Sequence, residues 1–378
     1  MSESLENKEK SMKSQITSQK GLNSISPYKA GRPIEEIQKL YGLKDVIKLA
    51  SNENPLGPSP KALTAMQNAL SRLNFYPDSA SHDLCHSIAE YLGVSPDQVT
   101  VGNGADGLLK QICMTFLEDD DEVIISKSSF PVYDIYAKVM RAKIIKTPTK
   151  NFGLDLDAML KEITPRTKLI FVCNPNNPTG TILSQTEIDS FLKQVPDKTL
   201  VIFDEAYFEF VESPDFPKTV DYIRAGVKNV IWLRTFSKAY GLAGIRLGYA
   251  IGPAELITYM NSIKEPFAVN NLSQAAGIAA LQDDEFLQKS INHNHKSLEY
   301  LYQEFDNLDI NYVKSNTNFV LVEFGVNADL IIQKLLETGI IVRPGNGYEL
   351  PTYARVSTGT EEQNKRFISV LKKLLGKK

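Results

Sequence analysis

The sequence predicts an α/β fold: a large domain with a mainly parallel seven-stranded sheet between helices, and a smaller α+β domain. From residue 99 onward, short β-rich runs alternate with segments of helical length, which is the pattern of crossover units in a parallel sheet. Runs such as LIFVC and LVIF are almost continuously apolar, as expected of strands that are covered on both faces. The residues after 270 change to an α+β pattern, which predicts the second domain.

The N-terminal residues are predicted to form two segments. Residues 1–26 are rich in Ser, Lys, Glu and Gln and poor in large apolar side chains, a composition that favours a mobile tail. A short amphipathic helix that docks on a partner subunit is the alternative. Residues 27–60 form an arm that prolines such as Pro33 and Pro55 keep extended, and we expect this arm to pack with the small domain.

The large domain is predicted to span residues 61–270 and the small domain residues 271–378. Strands of the large domain are expected at residues 99–101, 122–126, 143–147, 168–173, 200–204, 230–235 and 247–251. The small domain is expected to contain a long helix near 274–305, strands at 318–324, 340–342 and 354–357, and helices at 329–338 and 361–375. Ligands of open parallel sheets bind at the carboxyl ends of the strands, so the loops that follow the strands are where a site is expected.

Composition and charge exclude several classes of protein. The chain has 378 residues, enough for roughly two or three domains, and its 42 Lys and Arg against 45 Asp and Glu give a net charge of −3. No global basic field is available to recruit nucleic acid. Three scattered cysteines and four histidines match neither a disulfide framework nor a metal site, so no metal is expected. No apolar run is long enough for a membrane span and no secretory segment is recognised, so we expect a cytoplasmic protein.

A lysine motif follows one of the buried strands. Residues 235–246 read TFSKAYGLAGIR, in which Lys238 lies beside hydroxyl residues and is followed by glycines and by Arg246. Such a segment can place an amine beside an anion-binding pocket, although a single Ser-Lys pair is more often a solvated loop. The loops after three other predicted strands favour the anion-binding pocket over the solvated loop.

These other loops also carry polar groups at the carboxyl ends of predicted strands. One strand ends in Asp204 of the sequence DEAY, and another ends in NPNNPTG, whose turn can orient the amide of Asn177. A third runs through GNGAD at residues 102–106 into a helix, which exposes backbone N–H groups where a phosphate can bind. A nicotinamide dinucleotide is not expected, because the next strand ends in SKSS without an acidic residue.

The four loops together offer an amine, a carboxylate, an amide and a phosphate-binding turn, the set that pyridoxal 5'-phosphate (PLP) needs. In their order along the chain, GNGAD, NPNNPTG, DEAY and SKAYGLAGIRLGY resemble the motifs of the fold-type I PLP-dependent aminotransferases, from about residue 50 to the C-terminus. The sequences SNENPLGPSP at 51–60, YPD at 76–78 and RVSTGT at 355–360 are similar to the histidinol-phosphate aminotransferase branch. This branch shares part of its signature with aromatic aminotransferases and phosphothreonine decarboxylases.

The resemblance implies the catalytic and cofactor-binding roles. Lys238 would hold the cofactor as an imine and, once the substrate amine displaces it, would move a proton between the substrate Cα and the cofactor. Asp204 would pair with the ring nitrogen, and Asn177 and Tyr207 would hydrogen-bond the phenolate oxygen of the ring. The phosphate clamp would consist of Arg246, Thr235, Ser237 and the backbone N–H groups of Ala105 and Asp106.

Further roles implied by the resemblance concern the ring, the partner subunit and the substrate. Tyr133 matches the aromatic residue that stacks on the cofactor ring, with a packing role as the alternative. Tyr76 resembles the tyrosine that reaches the cofactor phosphate in the neighbouring subunit, which implies a homodimer with shared sites. The substrate side is assigned to Arg355, Arg343, Tyr28 and Asn54, together with Asn52. The alternatives are a surface salt bridge for Arg343, a loose aromatic side chain for Tyr28 and a turn role for the two asparagines.

The reaction that the resemblance implies interconverts histidinol phosphate and 2-oxoglutarate with imidazole-acetol phosphate and glutamate, in L-histidine biosynthesis. Two alternatives use the same scaffold: an aromatic amino acid aminotransferase and a PLP-dependent decarboxylase of an amino acid phosphate. A third alternative is a PLP-binding regulator without turnover, against which the chain lacks a DNA-binding extension of adequate length. The expected partners are small-molecule substrates and a second copy of the chain, with no nucleic acid and no membrane.

Overall fold

The computed structural model describes residues 17–25 and 31–377. In this part of the chain the strands are β1 (Ile47–Leu49), β2 (Val99–Asn103), β3 (Glu122–Ser126), β4 (Lys143–Thr147), β5 (Thr149–Lys150), β6 (Gly153–Leu154), β7 (Thr167–Cys173), β8 (Leu200–Asp204), β9 (Val230–Thr235), β10 (Leu247–Ile251), β11 (Tyr312–Val313), β12 (Phe319–Glu323), β13 (Ile340–Pro344) and β14 (Tyr353–Ser357).

The α-helices of the same residues are α1 (Ile34–Tyr41), α2 (Pro60–Ala69), α3 (His82–Leu92), α4 (Gly104–Phe116), α5 (Val132–Val139), α6 (Leu156–Lys161), α7 (Gln185–Leu192), α8 (Thr219–Arg224), α9 (Ala254–Ser262), α10 (Asn271–Leu281), α11 (Asp284–Asn307), α12 (Ala328–Glu337) and α13 (Glu361–Leu374). Short 3₁₀ helices lie at Lys20–Ser24, Leu70–Arg72, Pro96–Gln98, Phe208–Phe210, Ala243–Ile245, Gly325–Asn327 and Gly345–Tyr348.

The larger sheet contains seven strands in the order β2-β10-β9-β8-β7-β3-β4. Its neighbouring strands pair in parallel except at β10, which pairs antiparallel with both β2 and β9. The predicted α/β class with a mainly parallel seven-stranded sheet is confirmed. Because β2, β3, β7, β8 and β9 run in the same direction, the loops that follow them meet at one edge of the sheet.

Apolar side chains cover both faces of this sheet. In β8, Val201 and Phe203 belong to the hydrophobic cluster on one face, while Leu200 and Ile202 belong to the cluster on the other face. The same alternation in β7 explains why its sequence is almost continuously apolar. Burial on both faces keeps the strands rigid, and this gives the loops at their carboxyl ends a fixed base.

The second sheet has the order β1-β13-β14-β12-β11 and lies in the C-terminal part of the chain, apart from β1. Strand β1 pairs in parallel with β13, while the other neighbours pair antiparallel. This pairing brings residues 47–49 of the N-terminal arm to the small sheet. The predicted domain boundaries before residues 61 and 271 stay predictions.

The long helix predicted near residues 274–305 is two helices, α10 and α11, separated at Gln282 and Asp283. The side chain of Asp283 accepts hydrogen bonds from the Ser59 hydroxyl at 2.5 Å and from the backbone N–H of Lys61 at 3.4 Å. This contact at the start of α2 joins positions more than 220 residues apart, so helical periodicity could not show it.

Only part of the predicted tail at residues 1–26 belongs to the described residues. Within that part, the 3₁₀ helix at Lys20–Ser24 approaches α5 closely, since a Cβ on Gly21 would lie 2.3 Å from the carbonyl oxygen of Lys138. None of the helices in residues 17–25 and 31–377 has the length and apolar character that crossing a membrane requires.

Candidate active site

A cavity of about 390 Å³ opens at the carboxyl edge of the large sheet. Its walls come from loops that follow the parallel strands and from residues of the small sheet. Among the predicted site residues, those that line it are Ala105, Asp106, Asn177, Asp204, Tyr207, Thr235, Ser237, Lys238, Arg246, Arg343 and Arg355. The fold therefore brings together groups that lie up to 250 positions apart in the sequence.

Lys238 follows β9 and places its amine in this cavity. The amine donates a hydrogen bond to the backbone carbonyl of Ser51 at 3.3 Å and lies 5.7 Å from the centroid of the Tyr207 ring. Burial, and then the positive charge of Arg355, lower the pKa of the Lys238 amine to about 8. The unprotonated form, which a nucleophile or a general base requires, is therefore much more populated near neutral pH than in an ordinary lysine with a pKa of 10.5.

Asp204 is the last residue of β8 and is buried at the floor of the cavity. Its carboxylate accepts hydrogen bonds from the Tyr133 hydroxyl at 2.6 Å and from the backbone N–H of Ala206 at 3.1 Å. Burial raises the pKa of Asp204, and the two hydrogen bonds oppose that rise. Since both donors are neutral, the carboxylate is well placed for a cationic group of a ligand.

The prediction that Tyr133 stacks on the cofactor ring is wrong. Tyr133 is completely buried, its ring stacks on Phe171 at 4.6 Å between centroids, and its hydroxyl is bound to Asp204. Phe130, three positions earlier and before the start of α5, lines the cavity instead. Helix α5 begins at Val132, so Tyr133 turns into the core while Phe130 stays on the preceding turn.

Tyr207 and Asn177 connect the cavity to the second sheet. The Tyr207 hydroxyl accepts a hydrogen bond from the side chain of Asn52 at 2.8 Å, and the Oδ1 atom of Asn52 accepts one from the Ser357 hydroxyl at 2.8 Å. The Oδ1 atom of Asn177 accepts a hydrogen bond from Arg355 at 2.6 Å. Both residues thus have polar partners that hold them in position. Asn52, which is buried at a φ of 55°, lines the cavity, and the sequence places it on the substrate side with a turn role as the alternative.

The prediction that Asn54 binds substrate is also wrong, because its side chain points into the protein. The amide nitrogen donates to the backbone carbonyl of Ala239 at 2.9 Å and to the Ser290 hydroxyl at 2.8 Å. Asn54 is not among the described residues that line the cavity, whereas Asn52 and Glu53 are. Asn52 and Asn54 lie two positions apart in the same SNENP segment and look alike in the sequence. Only their hydrogen-bond partners, which are distant in the sequence, distinguish them.

The predicted phosphate clamp surrounds the start of α4. The capping residue Asn103 forms no side-chain hydrogen bond with this helix end, so N–H groups of the first turn, at Ala105 and Asp106, remain available in the cavity wall. Arg246 approaches the same helix end: its Nη2 atom lies 3.6 Å from a carboxylate oxygen of Asp106. A Cβ on Gly104 would lie 2.7 Å from that guanidinium, which explains the glycine. Helix N–H groups and a guanidinium together favour an anion.

Thr235 and Ser237 complete this side of the cavity. The Thr235 hydroxyl accepts a hydrogen bond from the backbone N–H of Ser237 at 3.1 Å and donates one to the carbonyl of Leu247 at 3.2 Å. A buried ion pair lies one residue from each strand end, where Arg234 donates to Glu205 at 2.9 Å. This pair ties the end of β8 to the end of β9, so the loops with Asp204 and Lys238 have a common support.

Arg355 is a buried guanidinium in the wall nearest the small sheet. Its Nη1 atom donates to the Tyr348 hydroxyl at 3.0 Å as well as to Asn177, and its Nη2 atom donates to the carbonyl of Ala50 at 2.6 Å. The Nε atom is buried and has no hydrogen-bond partner among the described residues. Arg343, on the adjacent strand, lines the same cavity. An unused buried N–H beside a cavity indicates a site for an anionic ligand.

Two predicted residues lie away from this cavity. Tyr76 is 80% exposed and stacks on Phe267 at 4.4 Å between ring centroids, so it does not act in the cavity of its own chain. Tyr28 lies outside the described residues. The role of Tyr76 in a partner subunit and the role of Tyr28 stay predictions.

Comparison with known proteins assigns the family. Residues 44–371 match the family model described as aminotransferase class I and II. The chain belongs to this aminotransferase family. The motif resemblance in the sequence is thereby confirmed.

Two aminotransferases of known name are similar to this chain over most of its length. The histidinol-phosphate aminotransferase of Moorella thermoacetica is 47% identical over 93% of this chain and 91% of that protein. The enzyme of the same name from Caldicellulosiruptor saccharolyticus is 44% identical over 94% of this chain and 99% of that protein.

Solved aminotransferase structures agree in fold. The crystal structure of histidinol-phosphate aminotransferase from Sinorhizobium meliloti in complex with pyridoxal-5'-phosphate has a TM-score of 0.89 and 28% identity, over 97% of this chain and 99% of that chain. A Thermus thermophilus aspartate aminotransferase variant has a TM-score of 0.85 over 96% of this chain and 100% of that chain, at 21% identity, and shows the fold alone.

Proposed function

We propose that this chain is a PLP-dependent histidinol-phosphate aminotransferase of L-histidine biosynthesis. It exchanges the amino group between histidinol phosphate and 2-oxoglutarate, giving imidazole-acetol phosphate and glutamate. The observation that carries the proposal is that one cavity contains the Lys238 amine, the Asp204 carboxylate and the Arg355 guanidinium. The identity to histidinol-phosphate aminotransferases over nearly the whole chain supports the choice of substrate.

The residues of the cavity fit PLP. Asp204 is a buried carboxylate whose hydrogen-bond donors are neutral, which suits the protonated nitrogen of a pyridine ring. The start of α4 and Arg246 suit a phosphate, and Phe130 and Ala206 provide apolar surface in the cavity wall. When bound, PLP supplies an aldehyde carbon for amine exchange and a ring that withdraws electrons from the substrate Cα.

Five polar residues of the cavity have a direct role in this reaction. Lys238 binds the cofactor through its amine and afterwards moves the proton at the substrate Cα, a task for which a pKa of about 8 is suitable. Asp204 holds the proton on the ring nitrogen. Tyr207 and Asn177 orient the ring, since Asn52 and Arg355 keep both side chains in place. Arg355, whose guanidinium lines the cavity, binds the anionic group of the substrate.

A homodimer with shared active sites is part of the proposal. Next to Tyr76, the chain exposes large apolar side chains, with exposed fractions of 57% for Leu73 and 62% for Phe75. An exposed apolar patch of this kind suits the isologous contact of a two-fold dimer. In that dimer Tyr76 reaches the phosphate clamp of the partner. We also expect the enzyme to act in the cytoplasm, where its small-molecule substrates are found.

A substrate panel tests the proposal. The purified protein with PLP is assayed for amino-group transfer to 2-oxoglutarate from histidinol phosphate, phenylalanine and tyrosine. The value of kcat/KM for histidinol phosphate should exceed that for either amino acid by about a hundredfold, since a site built for a phosphate dianion discriminates against ligands that offer only a carboxylate. A preference for phenylalanine or tyrosine would instead assign an aromatic amino acid aminotransferase. Release of carbon dioxide from an amino acid phosphate would assign a decarboxylase.

A further inference from the structure

Every hydrogen-bonding atom of the Asn54 side chain has a partner within the protein. The amide nitrogen donates both protons, to the carbonyl of Ala239 and to the Ser290 hydroxyl, at 2.9 and 2.8 Å. The amide oxygen accepts a hydrogen bond from the backbone N–H of Leu56 at 3.0 Å. A ligand could accept a hydrogen bond from the amide nitrogen only if one of the two donated bonds broke. The hydrogen bonds of the Asn54 side chain therefore stabilise the protein itself.

This internal role concerns the loop that carries Lys238. Residues 51–57 touch residues 238–241 at three successive points. The Lys238 amine donates to the carbonyl of Ser51, and the next residue, Ala239, accepts the bond from Asn54. At the third point a Cβ on Gly241 would lie 2.0 Å from the carbonyl oxygen of Gly57, so the two backbones are in direct contact. Asn54 provides the middle connection, in which the side chain comes from residues 51–57.

The other end of this connection lies on a long helix. Ser290 is 3% exposed and belongs to α11, which runs for 24 residues. The same segment is held to the N-terminal end of α11 by the hydrogen bond between Ser59 and Asp283. A rigid helix thus supports Asn54, and Asn54 supports the residue that follows the reactive lysine.

We propose that Asn54, supported by Ser290, is a positioning residue that holds the Lys238 loop, and with it the amine, in place in the wall of the cavity. The inference deepens the proposed function, on which it rests for the role of Lys238. Asn54 acts through Ala239 and does not touch the reacting atoms. Ser290 lies in the core and cannot contact substrate, so any effect of its substitution on Lys238 is transmitted through Asn54.

Loss of this connection has a defined effect on Lys238. The amine has a lowered pKa chiefly because it is buried. In Asn54→Ala the carbonyl of Ala239 loses its donor and the loop loosens, so the amine is held less firmly in its partly buried position. The charged form is then better solvated, so the pKa of the amine should rise towards its usual value of 10.5. Ser290→Ala should raise the pKa of the amine in the same direction, but by less.

The experiment uses the full chain freed of PLP and measures how the rate of recombination with PLP depends on pH, followed by absorbance. The apparent pKa of this profile should be higher in Asn54→Ala and Ser290→Ala than in the wild type. The PLP dissociation constant, measured by quenching of Trp232, the single tryptophan, should rise by about tenfold in Asn54→Ala, as expected for lost buried hydrogen bonds. Ser297→Ala is the matched control, since Ser297 is equally buried on α11 but bonds to Gly359.

The outcomes separate the two roles of Asn54. A raised apparent pKa in both variants, with an unchanged profile in Ser297→Ala and an unchanged KM for histidinol phosphate, supports the inference. An unchanged profile in Ser290→Ala, or a raised KM in Asn54→Ala with a wild-type profile, overturns it. A wild-type chain that does not recombine with PLP would refute the proposed function itself, which is a result distinct from both.

Discussion

Arg343 and Arg355 are cross-strand neighbours, paired in the antiparallel register of β13 and β14. Both line the cavity that contains Lys238, and Arg355 is almost completely buried there. A single carboxylate can be bound by one guanidinium, whereas a phosphate dianion offers acceptors for two. This pair of arginines therefore favours a substrate with a phosphate group over an aromatic amino acid.

The two arginines should differ in their effect on the two half-reactions. Arg343→Ala should lower kcat/KM for histidinol phosphate by about tenfold to a hundredfold, because a charge-assisted contact to the phosphate is lost, and should change kcat/KM for glutamate little. Arg355→Ala should damage both half-reactions, since every anionic substrate needs this guanidinium. Steady-state kinetics with each substrate measure the difference. Equal losses for both substrates in Arg343→Ala would show that Arg343 does not select the phosphate.

Asp204 should be essential to turnover, whereas loss of the Tyr133 hydroxyl should lower turnover only moderately. Asp204→Ala should lower kcat by about a thousandfold or more, because a buried charge that stabilises the transition state is removed. Tyr133→Phe removes only the hydroxyl that donates to Asp204 and should lower kcat by about tenfold. Thermal unfolding of both variants serves as the control for folding. Near-normal turnover of Asp204→Ala would mean that another group protonates the ring.

These two residues also show what the sequence could and could not predict. Asp204 was predictable because it ends an apolar run, and strand ends in a parallel sheet face the ligand edge. Tyr133 was misplaced because Phe130 and Tyr133 lie three positions apart in one turn, and the sequence does not show that α5 begins between them at Val132. Position along the chain identifies a loop, but the first turn of the next helix decides which side chain faces the cavity.

Long-range contacts account for the other differences. The role of Asn54 depends on Ser290, 236 positions away, and the break between α10 and α11 coincides with a contact between Asp283 and Ser59. Periodicity and turn preferences describe neighbours within a few residues, so they contain no information about such pairs. Asn52 is found by the same kind of contact, through its hydrogen bond to Tyr207.

The apoprotein should gain stability as the pH rises, through Lys238. Its amine has a pKa of about 8 in the folded chain and a usual value of 10.5, so between these values the unfolded chain binds a proton that the folded chain does not. Stability therefore increases with pH across this window, and the destabilisation is fully present below pH 8. Lys238→Met removes the titrating group and should be more stable than the wild type at about pH 7, with a difference that shrinks by about pH 10. Thermal midpoints without PLP give this difference, and a constant difference would contradict the expectation.

Hybrid dimers should show whether Tyr76 acts in the partner subunit. Tyr76→Ala and Lys238→Ala chains are each expected to be inactive or nearly so. If Tyr76 serves the partner, a hybrid of the two has one site with both residues intact, and equal mixing should restore about a quarter of wild-type activity. If Tyr76 served its own chain, the hybrid would contain no intact site. Full activity of a monomer in solution would also refute the shared site.

The most direct test of the proposed function is a single half-reaction. The PLP-loaded protein is mixed with histidinol phosphate in the absence of 2-oxoglutarate, and the imidazole-acetol phosphate formed is quantified per chain. One equivalent of imidazole-acetol phosphate per chain should form in a single phase. Lys238→Ala should form no product on this time scale, since Lys238 moves the proton at the substrate Cα. No product from histidinol phosphate, together with one equivalent of keto acid from phenylalanine under the same conditions, would contradict the proposed function.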